Sequence, residues 1–179
     1  MQNGFTLFEL LVSIAIIIIV SSFVMIGRNG EEQKMFLRTT TFTLGQNLRE
    51  YQEKALSGES VDCGTGKNVC GFGINFTQDN DFYTPFVDCS NSCLTGNHIL
   101  DGNDISLPAV SLGKAKIYSL TGGNPLNIVF TPPDPIVYLN NIAWGNEATT
   151  QAVITLCLKA NTSVQRIIKV NNAGKIEIQ

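Results

Sequence analysis

The chain has 179 residues, of which 44% are hydrophobic and only 15% charged, and its formal charge is -3. That composition is too apolar for a disordered chain, and the charge argues against nucleic-acid binding over the whole surface, since phosphate contacts need Lys and Arg in excess. A single histidine, His98, leaves imidazole-rich metal sites and histidine relays without a second ring, so no enzyme, catalytic residue, metal or cofactor is expected. Soluble domains average about 25% charged residues, and the deficit points to a membrane segment or to a surface of uncharged polar groups.

From residue 10 to residue 27 no side chain is charged, and over residues 5–26 the only ionisable one is Glu9. At about 1.5 Å per residue, roughly 20 helical residues cross the roughly 30 Å hydrocarbon core of a bilayer, so this segment is long enough to span. Residues 14–20 are apolar on every helical face, unlike the one-sided stripe of a surface helix; a buried core helix is the alternative. A secretory signal would carry a basic start, a shorter apolar core and a small-residue cleavage site behind it. Here Met1, Gln2 and Asn3 are uncharged, and the small residue, Gly4, stands in front of the apolar run.

The order Gly4-Phe5-Thr6-Leu7-Phe8-Glu9-Leu10-Leu11-Val12 resembles the cleavage and methylation motif of type IV prepilins and type II secretion pseudopilins. It has a glycine, then an aromatic residue, then a glutamate five places after the glycine, at the head of an apolar run. The resemblance implies that a prepilin peptidase cuts between Gly4 and Phe5 and methylates the new N-terminus at Phe5, so that residues 1–4 form a leader. It further implies that residues 5–27 hold the protein in the inner (cytoplasmic) membrane, in contact with the lipid bilayer. From there an assembly platform would pass it to other pilin or pseudopilin subunits in a pilus or pseudopilus.

Physical chemistry gives Glu9 a reason to matter. A charge at the bilayer centre costs roughly 2.5–3.5 kcal/mol on insertion scales, so the carboxylate needs a partner. The freed N-terminal amine of a neighbouring subunit is one: at about 4 Å and an effective dielectric near 20 the attraction is roughly 4 kcal/mol before desolvation. Such pairing would draw subunits from the membrane into a helical bundle and set their stagger. The alternative is that Glu9 reaches the headgroups from the helix end. Arg28, Lys34 and Arg38 follow the segment and no basic residue precedes it. By the positive-inside rule alone the C-terminal side would be cytoplasmic, but long domains translocate largely regardless of charge. The resemblance and the cysteines place the head outside.

Beyond residue 27, Leu37, Leu44, Leu48, Tyr51 and Ala55 recur at helical spacing and Ser57-Gly58 supplies a stop. One helix is therefore expected over residues 5–56, membrane-embedded over 5–27 and amphipathic over 28–56, with a bend at the glycines of 27–30. The remainder reads as short strands between Gly, Pro, Asn and Asp, at 69–76, 82–87, 114–120, 126–130, 136–139, 152–158, 164–170 and 175–178. Asn171-Asn172-Ala173-Gly174 is a hairpin turn signal. The fold class is α+β, a long N-terminal helix on a small antiparallel β-rich head over residues 57–179, the lollipop of the resembled family. The ending Arg166-Ile167-Ile168-Lys169-Val170, the turn and Lys175-Ile176-Glu177-Ile178 resembles the C-terminal hairpin of the minor subunits of the GspH and FimT types.

Cys63, Cys70, Cys89 and Cys93 lie in loop-like sequence and Cys157 in an apolar strand. Four such cysteines outside the cytoplasm suggest two disulfides, with three possible connectivities; local pairing, Cys63 with Cys70 and Cys89 with Cys93, is the simplest. A four-thiolate zinc site is the rival, although six residues between the first two cysteines exceed the usual two to four. Cys157 is expected to be a small buried apolar residue. Gly64-Thr65-Gly66-Lys67 fails as a phosphate loop, because Val61 and Asn68 stand where glycine and Ser or Thr are needed. Asp79, Asn80, Asp81 and Asp101, Asn103, Asp104 could offer oxygens to calcium, but neither matches the twelve-residue calcium loop and solvated turn carboxylates are preferred.

Residues 57–158 carry nine acidic and three basic side chains, whereas residues 159–179 carry Lys159, Arg166, Lys169 and Lys175 against Glu177 alone. The basic end is the one candidate for a ligand site: Arg166, Lys169 and Lys175 as DNA contacts, as in some FimT-type minor pilins. It is thin, since useful affinity takes several phosphate contacts.

Overall fold

In a computed structural model of the chain, residues 6–94, 96–132, 136–140 and 151–179 are described, with the side chains of 23–29 excepted. A single helix, α1, runs over Leu7–Ser57. The chain divides into two compact units, Met1–Phe36 and Leu37–Gln179. In the first, the helix continues through residues 27–30 without a break, so the expected bend is not expressed as an interruption. In the second, Leu37, Leu44, Leu48, Tyr51 and Ala55 are all buried, as their spacing requires.

The head holds ten strands among the described residues: β1 (Asn68–Phe76), β2 (Phe82–Ser90), β3 (Ile105–Ser106), β4 (Val110–Ser111), β5 (Ala115–Thr121), β6 (Leu126–Thr131), β7 (Ile136–Leu139), β8 (Gln151–Leu158), β9 (Gln165–Asn171) and β10 (Ile176–Ile178). They form two antiparallel sheets. The first has the order β3-β2-β1-β6-β7, with β4 also on β2, and the second β10-β9-β8-β5. The eight strands expected from the sequence are present within one to three residues at their ends. The two-residue strands β3 and β4 were not expected, being too short to show an alternation.

Alternation sorts each sheet into two faces. In the first sheet Phe72 pairs with Val87 and with Phe130, which pairs in turn with Val137; all four are buried. This apolar face meets α1, where Asn47 Nδ2 donates to the Tyr83 hydroxyl at 2.5 Å. The opposite face carries Gly73 between Phe86 and Val129. A Cβ on Gly73 would sit 2.7 Å from the Phe86 ring and 2.9 Å from Val129 Cγ2, so these side chains close over the bare backbone.

In the second sheet Ile178 pairs with Ile168 and Ile168 with Ile154. This row faces α1, since Ile178 Cδ1 lies against Gly45. The β9–β10 turn forms where the sequence signals it: Gly174 takes a left-handed φ of 79°, and Asn171 Oδ1 accepts from Ala173 N at 3.1 Å and Lys175 N at 2.8 Å.

Candidate functional site

At the N-terminus Gly4 and Phe5, the expected processing residues, lie outside the described residues. Thr6 is the helix cap, its Oγ1 accepting from Glu9 N at 3.3 Å. Glu9 is thus the third helical residue after a threonine cap, the spacing of a capping box, and its negative charge suits the positive end of the helix dipole. The Thr6-x-x-Glu9 pattern was a readable signal that the motif reading passed over. The structure places Glu9 on an exposed first turn.

Leu7, Phe8, Leu10, Leu11, Ile14 and Ile16 to Val20 are all exposed, from 48% at Ile14 to 84% at Leu7. They cover every face of the helix. Ser13 and Ser22 return their hydroxyls to the carbonyls of Glu9 and Ile18, at 2.7 and 2.8 Å, which removes polar groups from that surface. A helix apolar all round requires apolar surroundings. Among the described residues, however, no helix is long and apolar enough to cross a membrane. The described apolar side chains over residues 7–22 measure about 24 Å along a helix, short of the roughly 30 Å hydrocarbon core. The longer span expected from the sequence includes side chains outside the described set.

In the head the local cysteine pairing is corrected. The disulfides are Cys63–Cys89 and Cys70–Cys93, with Cα separations of 5.7 and 4.9 Å. The cause is strand register. β1 and β2 pair Asn68 with Ser90 and Val69 with Cys89, and Cys70 falls at an irregularity before Gly71 pairs with Asp88. Each bridge therefore joins one arm of the hairpin to the other. Forming two disulfides also sets aside the zinc reading. Cys157 is free and fully buried, and burial pushes its thiol pKa up despite the opposing Lys116 charge.

Beside these bridges a cleft of about 320 Å3 is lined by Lys67, Cys89, Ser90, Asn91, Ser92 and Asn103. Lys67, the lysine of the failed phosphate loop, spends its ammonium on Asn103 O at 3.1 Å and Oδ1 at 3.2 Å. The segment after β2 crosses the outer face of the first sheet. There His98 Nδ1 lies 2.6 Å from Asp88 Oδ2, with 3% and 1% of the side chains exposed, and the imidazole lies against the Tyr138 ring, centroids 3.8 Å apart and planes tilted by 33°. Leu100 N donates to Asn127 Oδ1 at 3.2 Å. This buried pair was missed in the sequence, where ten residues separate its members and no periodicity links them.

The acidic clusters are engaged by protein groups. Asp79 pairs with Lys116 at 2.7 Å and Asp81 with Lys159 at 2.5 Å, the latter holding the Asp81 carboxyl below its usual range. Asp101 Oδ1 accepts from Asn103 N at 2.6 Å and its Oδ2 from Asn97 Nδ2 at 2.8 Å, and these bonds lower its pKa. Asp104 accepts from Cys89 N at 3.0 Å and Asp101 N at 2.8 Å, but burial outweighs them and raises it. No metal-holding cluster occurs among the described residues.

The three cations named for nucleic acid do not converge. Lys175 pairs with Glu177 at 2.5 Å, and Glu177 stands directly across from Lys169. Arg166, an odd number of residues from Lys169 on β9, takes the opposite face and pairs in register with the buried Leu156.

Residues 1–25 match the prokaryotic N-terminal methylation motif. With a long N-terminal helix followed by antiparallel sheets, the chain has an α+β fold. Its structure is similar to the crystal structure of the type IV minor pilin FimU from Pseudomonas aeruginosa strain PAO1, at 14% sequence identity and a TM-score of 0.49, over 80% of this chain and 92% of that one. No curated protein matches the chain.

Proposed function

We propose that this protein is a minor pilin or pseudopilin, a subunit whose activity is assembly. It is cut by a prepilin peptidase between Gly4 and Phe5, methylated at Phe5, and held in the inner membrane by its first helix with the head outside the cytoplasm. An inner-membrane platform then incorporates it into a type IV pilus or a type II secretion pseudopilus. The observation that carries the reading is the helix over residues 7–22, apolar on every face, with Glu9 as its only carboxylate, lying within the methylation motif matched over residues 1–25. Neighbouring helices or lipid satisfy such a surface, and a neighbour's methylated amine satisfies the carboxylate. The C-terminal hairpin fits a subunit of the GspH or FimT type.

A filament-tip module that takes DNA or a surface through the basic C-terminal strands is the weaker reading, because Glu177 neutralises the centre of that patch. Replacing Glu9 by Ala tests the assembly role: processing should continue while incorporation into sheared filaments falls. Normal incorporation of the variant would remove Glu9 from assembly.

A further inference from the structure

We infer that this chain is a client of a thiol–disulfide isomerase, because its two native disulfides are interlaced and its nearest cysteines are not partners. In chain order the bridges join the first cysteine to the third and the second to the fourth, over separations of 26 and 23 residues. The competing local pairs, Cys63 with Cys70 and Cys89 with Cys93, are seven and four positions apart. Loop closure scales as the three-halves power of length, so an unfolded chain meets the local pairs roughly ten times more often. The native pairs become close only when β1 and β2 are already in register.

A chain that has closed the local pairs is trapped. Cys70 sits within β1 and Cys89 within β2, and both are buried in the finished hairpin, 1% and 2% exposed. Neither local bridge leaves its cysteine able to take its place across the hairpin, so exchange has to precede folding. Once the second sheet has formed, Cys157 is buried within β8 and is withdrawn from any further exchange.

The chemistry balances without a net oxidant once the local pairs exist. The isomerase thiolate attacks Cys63 Sγ, forming a mixed disulfide and releasing Cys70 as thiolate. Cys70 attacks Cys93 Sγ, forming Cys70–Cys93 and releasing Cys89. Cys89 attacks Cys63 in the mixed disulfide, forming Cys63–Cys89 and returning the isomerase thiolate. The initial bridges come from a disulfide-form oxidoreductase, each oxidation passing two electrons and two protons to it as it becomes a dithiol. The proposed placement of the head outside the cytoplasm fixes only where this partner is met; the pairing argument is independent of it.

The test uses the reduced, denatured full-length chain, diluted from denaturant into detergent with a glutathione redox buffer. Thiols are alkylated at intervals and disulfides mapped by mass spectrometry without reduction. The local pairs should appear first, roughly ten-fold ahead of the native ones, and a catalytic amount of reduced isomerase should raise the rate of native pairing by about the same factor. Native pairs appearing first, or an isomerase without effect, would overturn the inference. The double variant Cys70→Ser, Cys93→Ser removes the competitors and should close Cys63–Cys89 without the isomerase. A continued need for it would equally contradict the interlacing argument.

Discussion

Ile178, the penultimate residue, puts its Cδ1 2.5 Å from where a Cβ on Gly45 would stand. Together with the bond from Gln52 Nε2 to Gly174 O at 3.1 Å, this contact fastens the C-terminal hairpin to α1. Alanine at an interior helical glycine ordinarily gains about 1 kcal/mol, whereas overfilling a packed contact costs about 1–3 kcal/mol. Gly45→Ala should therefore lower stability by roughly 1 kcal/mol in denaturant melts, and Ile178→Val in the same chain should recover most of it. A stabilised single variant would mean that the contact is loose.

A buried hydrogen-bonded pair tolerates no orphan. Removing one partner leaves the other's buried polar group unsatisfied, at a cost of about 1–3 kcal/mol. His98→Ala should show a loss of that order by stranding the Asp88 carboxyl. The double variant His98→Ala, Asp88→Asn should be less destabilised than the sum of the singles, as read by a double-mutant cycle on unfolding free energies. Strict additivity would remove the coupling.

The acid limb of stability has a definite sign. Folding lowers the pKa of Asp101 through the backbone N–H of Asn103 and then the Asn97 amide, so the folded chain binds fewer protons there than the unfolded one. That contribution is present above the ordinary carboxylate range, about 4, and is lost as pH falls through the folded value. Asp104, raised by burial, acts in the opposite sense: its contribution is complete at low pH and is lost as pH rises through its folded value. Asp101→Ala should lower the denaturation midpoint at pH 7 and flatten its decline below about pH 4. An equal effect at pH 7 and pH 2 would contradict the assignment.

Cys157 combines full burial with a raised thiol pKa, and both suppress the thiolate that reacts. Alkylation at pH 8 without reductant should leave the folded protein unlabelled over the time in which the unfolded chain takes up one label. Uptake of a label by the folded protein would show that the second sheet opens at β8.

Local patterns were legible and long-range partners were not. The helix, its buried face from Leu37 to Ala55, eight strands and the Gly174 turn all follow from spacing and turn chemistry within a few residues. The division into two sheets depends on β5 leaving the first sheet and β6 returning to it, which no local pattern encodes. The disulfides illustrate the same limit: nearness in sequence favoured the local pairs, and only the β1–β2 register selects Cys89 for Cys63. Ile105 and Val110, either side of Pro108, form strands too short to alternate. At the N-terminus the functional signal was the clearest in the chain, although the Thr6 cap that shares Glu9 with it went unread.

The central claim is that Glu9 and the apolar helix belong to a processed, methylated assembly subunit. Mass spectrometry of the N-terminal peptide, from protein isolated from cells that possess a prepilin peptidase, tests it most directly. The account predicts a chain that begins at Phe5 and carries one added methyl group on its amine. A chain that keeps Met1 through Gly4 in those cells would contradict it.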